Sequence, residues 1–586
     1  SLCMLVPGRT KVRGGFWVDF SRLLPPQNST FLQTQLPRAS SGPDPAGVSE
    51  GAGALLPPEE LNHTRRMVQE FSRPGGLGPH LQEGLERRAR LTKNWITDWW
   101  VQWAYLESRQ PLPVHSNPAI SLPRRDYNDW RSQFASKLIA AVLDFRAKLK
   151  TAQIPVEYMR GKPMCMELYP LLFSSCRIPG PKHDYVAHYG GGRRSPTHIT
   201  VVRNYQFFQL EVYNSDGSRD GESDPRSAAE EVQSEDGQRK WHPDNKLNQE
   251  SVQMIETGLF SVCLDSPVMR ISDEKPRRFC TGAGLTPTAG TAGLTKLCSP
   301  VGQFVIGEDG SWGLLYEQAT AEGMPVTTLE NPDPKRAPLV PLPMPKKLYF
   351  HIDREIKWDI EQAKQNLDIL INDLDVYVFN FKKFGKELPK KHSLSPNSFI
   401  QVALQLAYYR VHSEVCPACD IASQRLFRAG RTEYIRSPTN QALKFILAFD
   451  DRTVSVKTGN FPELNAYTVL TEQALNGHGI DNHLLGLKLQ AIEEGLSIPK
   501  VFMDTAYGLA THWRLRTGQV PANTDSVMCF GPLVPDGYAV CYNPQADHVH
   551  FSITAFNCCE DTNAETLSRT VKETLCDLQE LLEPPV

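Results

Sequence analysis

Few residue groupings in this chain have chemistry that spacing alone can assign. Cys416 and Cys419 form a lone Cys-x-x-Cys, Cys416-Pro417-Ala418-Cys419. Two thiols at that spacing can hold a metal or exchange disulfides, but a structural zinc site takes four ligands and no second pair stands at zinc spacing. They read as core cysteines. His548 and His550 alternate onto one face of an expected strand, where neutral imidazoles suit a transition ion. The sequence offers no third ligand beside them, so a hydrogen-bonded or surface role is preferred and no metal site is assigned. Gly51-Ala52-Gly53 and Gly190-Gly191-Gly192 precede no Lys-Ser/Thr pair and lie in no strand–helix–strand unit, so neither is a phosphate loop. No Gly-x-Ser-x-Gly elbow occurs.

Composition narrows the class. The 586 residues allow two to four domains at roughly 150 residues each. The net charge of −3 argues against bulk binding to nucleic acid or to a membrane surface. No apolar run reaches the ~18 residues of a spanning helix. Thirteen scattered cysteines, an odd number, suit reduced thiols inside a cell better than a disulfide framework. Residues 1–43 hold Arg9, Lys11, Arg13, Arg22 and Arg38 against the single acid Asp19, a balance typical of mitochondrial import segments and also of a disordered tail. The C-terminal residues Glu583-Pro584-Pro585-Val586 are not a peroxisomal tripeptide.

The elements that must position any site are legible in outline. Residues 24–58, rich in Pro, Ser, Gly and Ala, read as linker. Helical pattern begins near Glu59 and resumes through Leu91–Trp95 to Trp99 and Trp100. It returns at 132–149 with Phe134, Leu138, Ile139, Val142, Leu143 and Phe145. Strands are expected at 197–202 and 207–213, the latter closing on the turn Asn214-Ser215-Asp216-Gly217. Residues 214–245 and 275–300 read as loops. The Pro-rich run 338–345 looks like an extended crossover between domains. Beyond it come a helix bearing Ile356, Ile360, Ala363, Leu367 and Leu370, and a second from Phe399 to Val411. Strands are expected at 499–504, 526–530, 537–542 and 548–556, and a closing helix at 564–582. Helices and strands mix in both halves, so the class is α/β or α+β. The expected division is a tail at 1–58, a helical segment at 59–88 packing on the C-terminal domain, and domains at 89–350 and 351–586.

Several ordered segments carry a specific resemblance. Tyr316-Glu317-Gln318-Ala319-Thr320-Ala321-Glu322-Gly323 is similar to the Tyr-Glu-His-Ala-Ala-Ala-Glu-Gly catalytic segment of the carnitine/choline acyltransferase family. Residues 338–348, Pro-Leu-Val-Pro-Leu-Pro-Met-Pro-Lys-Lys-Leu, resemble that family's crossover in its acetyl-transferring carnitine branch. So do Cys176–Lys182, Gly430–Ser437, His483–Lys488, Gln519–Pro521, Val534–Tyr538 and Cys541–Pro544. The likeness spans about residues 59–582. It implies two chloramphenicol-acetyltransferase-like domains facing each other across a central tunnel. CoA, a cosubstrate rather than a bound cofactor, would enter one end and a carnitine-like acceptor the other. A histidine midway would deprotonate the acceptor hydroxyl, and a Ser-Thr-Ser hydroxyl would steady the oxyanion. A monomer is expected.

The same resemblance exposes departures. Gln318 stands at the histidine's position, and an amide cannot accept a proton near neutral pH. Glu322 is kept, and without the histidine it is expected to bond Gln318 or a backbone group. The Ser-Thr-Ser triplet reads Arg516-Thr517-Gly518, so the last hydroxyl is missing. Losing a general base costs ~10²–10⁴ in rate and losing an oxyanion donor ~10²–10³. On the acceptor side Cys419 replaces a tyrosine, Thr432 is kept and Asn482 replaces a carboxylate-binding arginine. Arg516 is either a relocated clamp for a carboxylate or a residue facing solvent or a local acid. Lys386 and Lys390 match lysines that hold the CoA phosphate, with Asn397 and Gln519 on the same side. Met528 and Phe530 match the wall that closes the acyl pocket to long chains. Three readings follow: a short-chain acyltransferase using carnitine, an impaired relative that binds CoA or acts as an interaction protein, and a choline-like acceptor site.

Overall fold

The computed structural model describes residues 58–124, 131–191, 195–213, 245–265, 302–308, 310–327, 344–450, 462–520, 522 and 524–583. The basic segment 1–43, the linker up to residue 57, Gly51–Gly53, Gly192, the turn at 214–217, the loop 275–300 and residues 338–343 of the crossover lie outside them, as does all but the last residue of the 214–245 stretch.

The fold is mixed α/β and is organised on two large sheets. The first has eight strands, in the order Lys346–Lys347, Gln206–Glu211, His198–Arg203, Ser261–Asp265, Gly302–Gly307, Trp312–Tyr316, Ala119–Leu122 and Val527–Cys529. The second has six: Leu374–Phe381, Val549–Phe556, Tyr538–Pro544, Leu515–Gln519, Ala418–Ser423 and Thr432–Arg436. Val527–Cys529 comes from the C-terminal half of the chain yet pairs antiparallel with Ala119–Leu122, Met528 opposite Ile120. One apolar core therefore joins Leu138, Ile139 and Val142 of the helix Arg131–Lys150 to Phe304, Trp312 and Leu314, and also to Met528, Phe530 and Cys541.

Helix ends follow their caps. Asp353 accepts from Ile356 N at 2.8 Å to start Arg354–Asp373, which runs directly into a strand. Ser395 caps Pro396–His412, with Pro396 at the first position, and Ser413 ends it in the left-handed region at φ 58°. Asn563 caps Ala564–Leu582, whose Leu567, Val571, Leu575 and Leu578 face the second sheet. Burial of each such side chain contributes ~1.5–3 kcal/mol before entropy is subtracted.

Two expectations fail. Residues 499–504 are not a strand but a short 3-10 turn, Lys500–Phe502. Pro499 breaks the run, and Val501 and Phe502 pack among Trp95, Trp100 and Leu85 instead of reaching a strand partner. The helix before Trp95 stops at Leu91, because Thr92 is extended (φ −119°, ψ 157°). Trp95 can then lie on Gly486, where a Cβ would come within 2.6 Å of its ring.

Candidate active site

The segment 316–322 leaves the strand Trp312–Tyr316 as a tight turn whose polar groups are almost all satisfied. Gln318 N donates to Ser116 O at 3.0 Å. The buried Glu317 carboxylate accepts from Ser116 Oγ at 2.7 Å, Ala319 N at 3.0 Å and Arg177 Nη1 at 3.1 Å. Burial raises its pKa and the Arg177 guanidinium opposes the shift. Arg177 also binds Asp184 at 2.9 Å and Tyr105 O at 2.7 Å. From the other side Arg431, 5% exposed, donates Nε to Glu322 Oε1 at 2.8 Å and its remaining N–H groups to the carbonyls of Gln318, Ala319 and Thr320. The expectation that Glu322 would serve Gln318 or the backbone is thus corrected: Glu322 pairs with Arg431, a charged donor that an amide cannot outcompete.

The Gln318 side chain itself is left over. It is buried, and its Oε1 has no hydrogen-bond partner among the described residues. Two residues upstream, Tyr316 Oη reaches Met528 Sδ at 3.6 Å. Beyond Met528 stands Phe530, whose ring would lie 3.3 Å from a Cβ at Gly518. A serine at 518 would require the Phe530 ring to give by a few tenths of an ångström. Thr517 is fully buried and spent on structure: its Oγ1 donates to Cys419 O at 2.9 Å and accepts from Gln401 at 2.8 Å.

Arg516 neither faces solvent nor pairs with an acid. It is 6% exposed, lies 4.4 Å above the Phe530 ring and donates to Gly531 O at 3.2 Å. No carboxylate partners it among the described residues. Gly531 N in turn bonds Val114 O at 2.9 Å, and Val114 is held at φ 74°, a costly conformation for a β-branched residue. The next residue, His115, stacks on Phe556, and burial together with Arg516 lowers its pKa to about 4. Its imidazole is neutral at pH 7. Tyr105, near Glu322, Arg431 and Arg516, is pushed up to about 12, chiefly by burial.

Of the expected acceptor residues, Cys419, Thr432 and Arg516 lie on neighbouring strands of the second sheet, and Asn482 lies in the first turn of the helix Asp481–Glu493. Cys419 lies directly opposite Arg516 in parallel pairing. Burial raises its thiol pKa strongly, so it packs rather than reacts. Thr432 follows Arg431, and its carbonyl accepts from Asn482 Nδ2 at 2.9 Å. Asn482 Oδ1 is buried without a partner among the described residues, as is Gln318 Oε1. Neighbouring Glu433 accepts from Asn482 N at 3.0 Å and has its pKa raised to about 8 by burial and by Asp481.

The residues expected near CoA divide. Lys386 caps the start of the short helix Glu387–Lys391 and Lys390 lies in its last turn. Lys390 pairs locally with Glu387 at 3.0 Å in solvent, whereas Lys386 has no acidic partner among the described residues. Gln519 is exposed. Asn397 uses both ends of its amide internally, donating to Asp420 at 3.0 Å and accepting from Tyr542 Oη. Sequence reasoning missed Arg431, Glu317, Arg177 and His115. The first three sit inside segments that carry the family resemblance, so a charged residue in an otherwise ordinary motif was the available signal.

Chemically, the arrangement offers a buried guanidinium, two unsatisfied amide oxygens and a sulfur–aromatic wall around a rigidly bonded turn, with no general base at 318. Residues 50–573 match the family described as Choline/Carnitine o-acyltransferase. The carnitine O-acetyltransferase of Columba livia is 46% identical over 567 residues, covering 90% of each chain. That of Homo sapiens is 44% identical over 612 residues, covering 97% of each. The choline O-acetyltransferase of Homo sapiens is 33% identical, covering 91% of this chain and 77% of its own. With the Tyr316–Gly323 turn, the Met528–Phe530 wall and this extent of likeness together, the chain belongs to the choline/carnitine O-acyltransferase family.

Proposed function

We propose that the chain handles a short acyl thioester of CoA and the hydroxyl of a carnitine-like acceptor, in the manner of a carnitine O-acetyltransferase, with Gln318 limiting the chemical step. The observation that carries this reading is Arg431 locking the Tyr316–Glu322 turn while Met528 and Phe530 stand against it. Similarity to carnitine O-acetyltransferases over nearly the whole chain supports the acceptor class. In this reading two chloramphenicol-acetyltransferase-like domains enclose a tunnel and Lys386 meets the anionic end of CoA. The buried, acid-free Arg516 meets the acceptor's carboxylate from the wall opposite the lost arginine position at Asn482. Gln318 Oε1 accepts a hydrogen bond from the acceptor hydroxyl and so orients it, but takes no proton. The basic residues within 1–43 favour a mitochondrial location.

A second reading rests on that same amide. A chain that binds CoA and acceptor without turning them over is an impaired relative. Thiol release from acetyl-CoA with carnitine or with choline, beside CoA binding by calorimetry, separates the two. Carnitine-dependent release above background establishes a slow enzyme. Tight CoA binding with no release establishes the impaired relative, and no binding of either ligand sinks the whole assignment.

A further inference from the structure

His548 and His550, left without a third ligand by the sequence, acquire one in the fold. Asp525 lies 23 residues before His548 in the chain, on the turn that leads into the crossing strand Val527–Cys529. Its Oδ1 stands 2.9 Å from His548 Nε2 and 3.3 Å from His550 Nε2. All three donor atoms lie within 4.8 Å of one another. A tetrahedral ion with bonds of ~2.0–2.1 Å sets its donor atoms ~3.4 Å apart, so the two measured edges already have roughly the required length.

The surroundings are those of a built site. Asn543 Nδ2 donates to Thr524 O and to Ser526 O, both at 2.8 Å, and so fixes the backbone on either side of Asp525. Asp547 Oδ1 accepts from His548 Nδ1 at 2.7 Å. With Nδ1–H held by Asp547, the ring turns Nε2 to Asp525 Oδ1 at 2.9 Å, the usual carboxylate–histidine support of a metal ligand. Either a proton or a divalent ion can stand between Nε2 and that carboxylate. His550 Nε2 is buried and makes no aligned hydrogen bond among the described residues, although it points at the same oxygen. Two carboxylates, Asp525 and Asp547, face His548, and the cation Lys382 acts on His550.

We propose that Asp525 Oδ1, His548 Nε2 and His550 Nε2 form a binding site for a zinc-class divalent ion, with a fourth position open to water. Two imidazoles and a carboxylate suit zinc and its first-row neighbours rather than calcium or magnesium. The ion fastens the start of the crossing strand to the outer end of the second sheet. It also lies beside the turn carrying Lys386, whose N–H bonds Gln545 O at 2.8 Å, while Gln545 N bonds His548 O at 2.9 Å. Uptake requires neutral imidazoles, so affinity falls as pH falls.

The test uses the full chain stripped with a chelator and titrated calorimetrically with Zn²⁺, then loaded with Co²⁺ for its visible spectrum. One ion per chain and four-coordinate cobalt bands without thiolate charge transfer are expected. His550→Gln should weaken binding by at least about tenfold, as should Asp525→Asn, which alters only an exposed side chain and keeps the fold. Failure to take up the ion at neutral pH means that a proton alone bridges Asp525 and His548, and overturns the site. Uptake that survives both substitutions, or shows thiolate bands, puts the ion elsewhere and overturns it equally.

Discussion

The turn around Gln318 and the loop around Lys386 hold two groups of residues that the family resemblance singles out, and they are held in opposite ways. At Gln318 the backbone is bonded from both sides, by Ser116 and by Arg431, and the buried side-chain oxygen has no partner among the described residues. At Lys386–Lys391 the charges are solvent-facing and partly paired among themselves, as Lys390 is with Glu387. Interactions in the first region are worth more per contact because they are desolvated. In the second, water and salt screen them. Loss of a bond is therefore expected to cost more in the first region than in the second.

The comparison is sharpened most by restoring the missing base. Gln318→His should raise kcat for carnitine acetylation by ~10²–10⁴, measured by thiol release, because the turn already holds position 318. An unchanged rate means the turn is not catalytic. Arg431→Ala should destabilise the fold by about 3–5 kcal/mol in denaturant titration, since it strands Glu322 and three carbonyls. A loss below 1 kcal/mol, the scale of an exposed pair, would erase the contrast between the regions.

Arg516→Ser should abolish a preference for carnitine over choline worth ~1.5–3 kcal/mol in binding titrations, the value of a charged hydrogen bond. Equal binding of both ligands by the unaltered chain would return Arg516 to a purely structural role over Phe530. Lys386→Ala with Lys390→Ala should weaken CoA by at least roughly tenfold, and increasingly so at low salt. Unaltered affinity would make these lysines a solvated surface only.

The smallest effect concerns pH. Glu433 has its pKa raised from 4.5 to about 8 in the folded chain. Its stabilising contribution is therefore complete below the unfolded value and is lost as pH rises through about 8. The thermal midpoint should fall between about pH 4.5 and pH 8 and level off above that, and should fall less in Glu433→Gln, which keeps the acceptor for Asn482 N. Identical pH profiles would mean that Glu433 does not titrate in that range.

Much of the scaffold was legible before any coordinates. The closing helix follows from the spacing of Leu567, Val571, Leu575 and Leu578 and begins at the cap Asn563. The strand Val549–Phe556 follows from alternation, yet its polar face is not solvated: Ser552 and Thr554 are buried and bond Met528 O and Phe530 O. Alternation reports which side chains share a face, but not what covers that face. The 499–504 segment misled for a related reason, since two apolar residues beside a proline fit a buried turn as well as a strand.

By itself the sequence determined the mixed α/β class, and its resemblance to the family singled out the segment 316–323 with Gln318 and the triplet Arg516-Thr517-Gly518. These depend on local spacing or on the identity of single residues. Only the tertiary structure decided that Glu322 belongs to Arg431, that Arg516 rests on Phe530, that Val527–Cys529 crosses into the other sheet, and that Asp525 joins His548 and His550. Each of these joins residues far apart along the chain. Hydrogen bonds and ion pairs act over a few ångströms, so such partners are fixed only when the packed sheets bring them together.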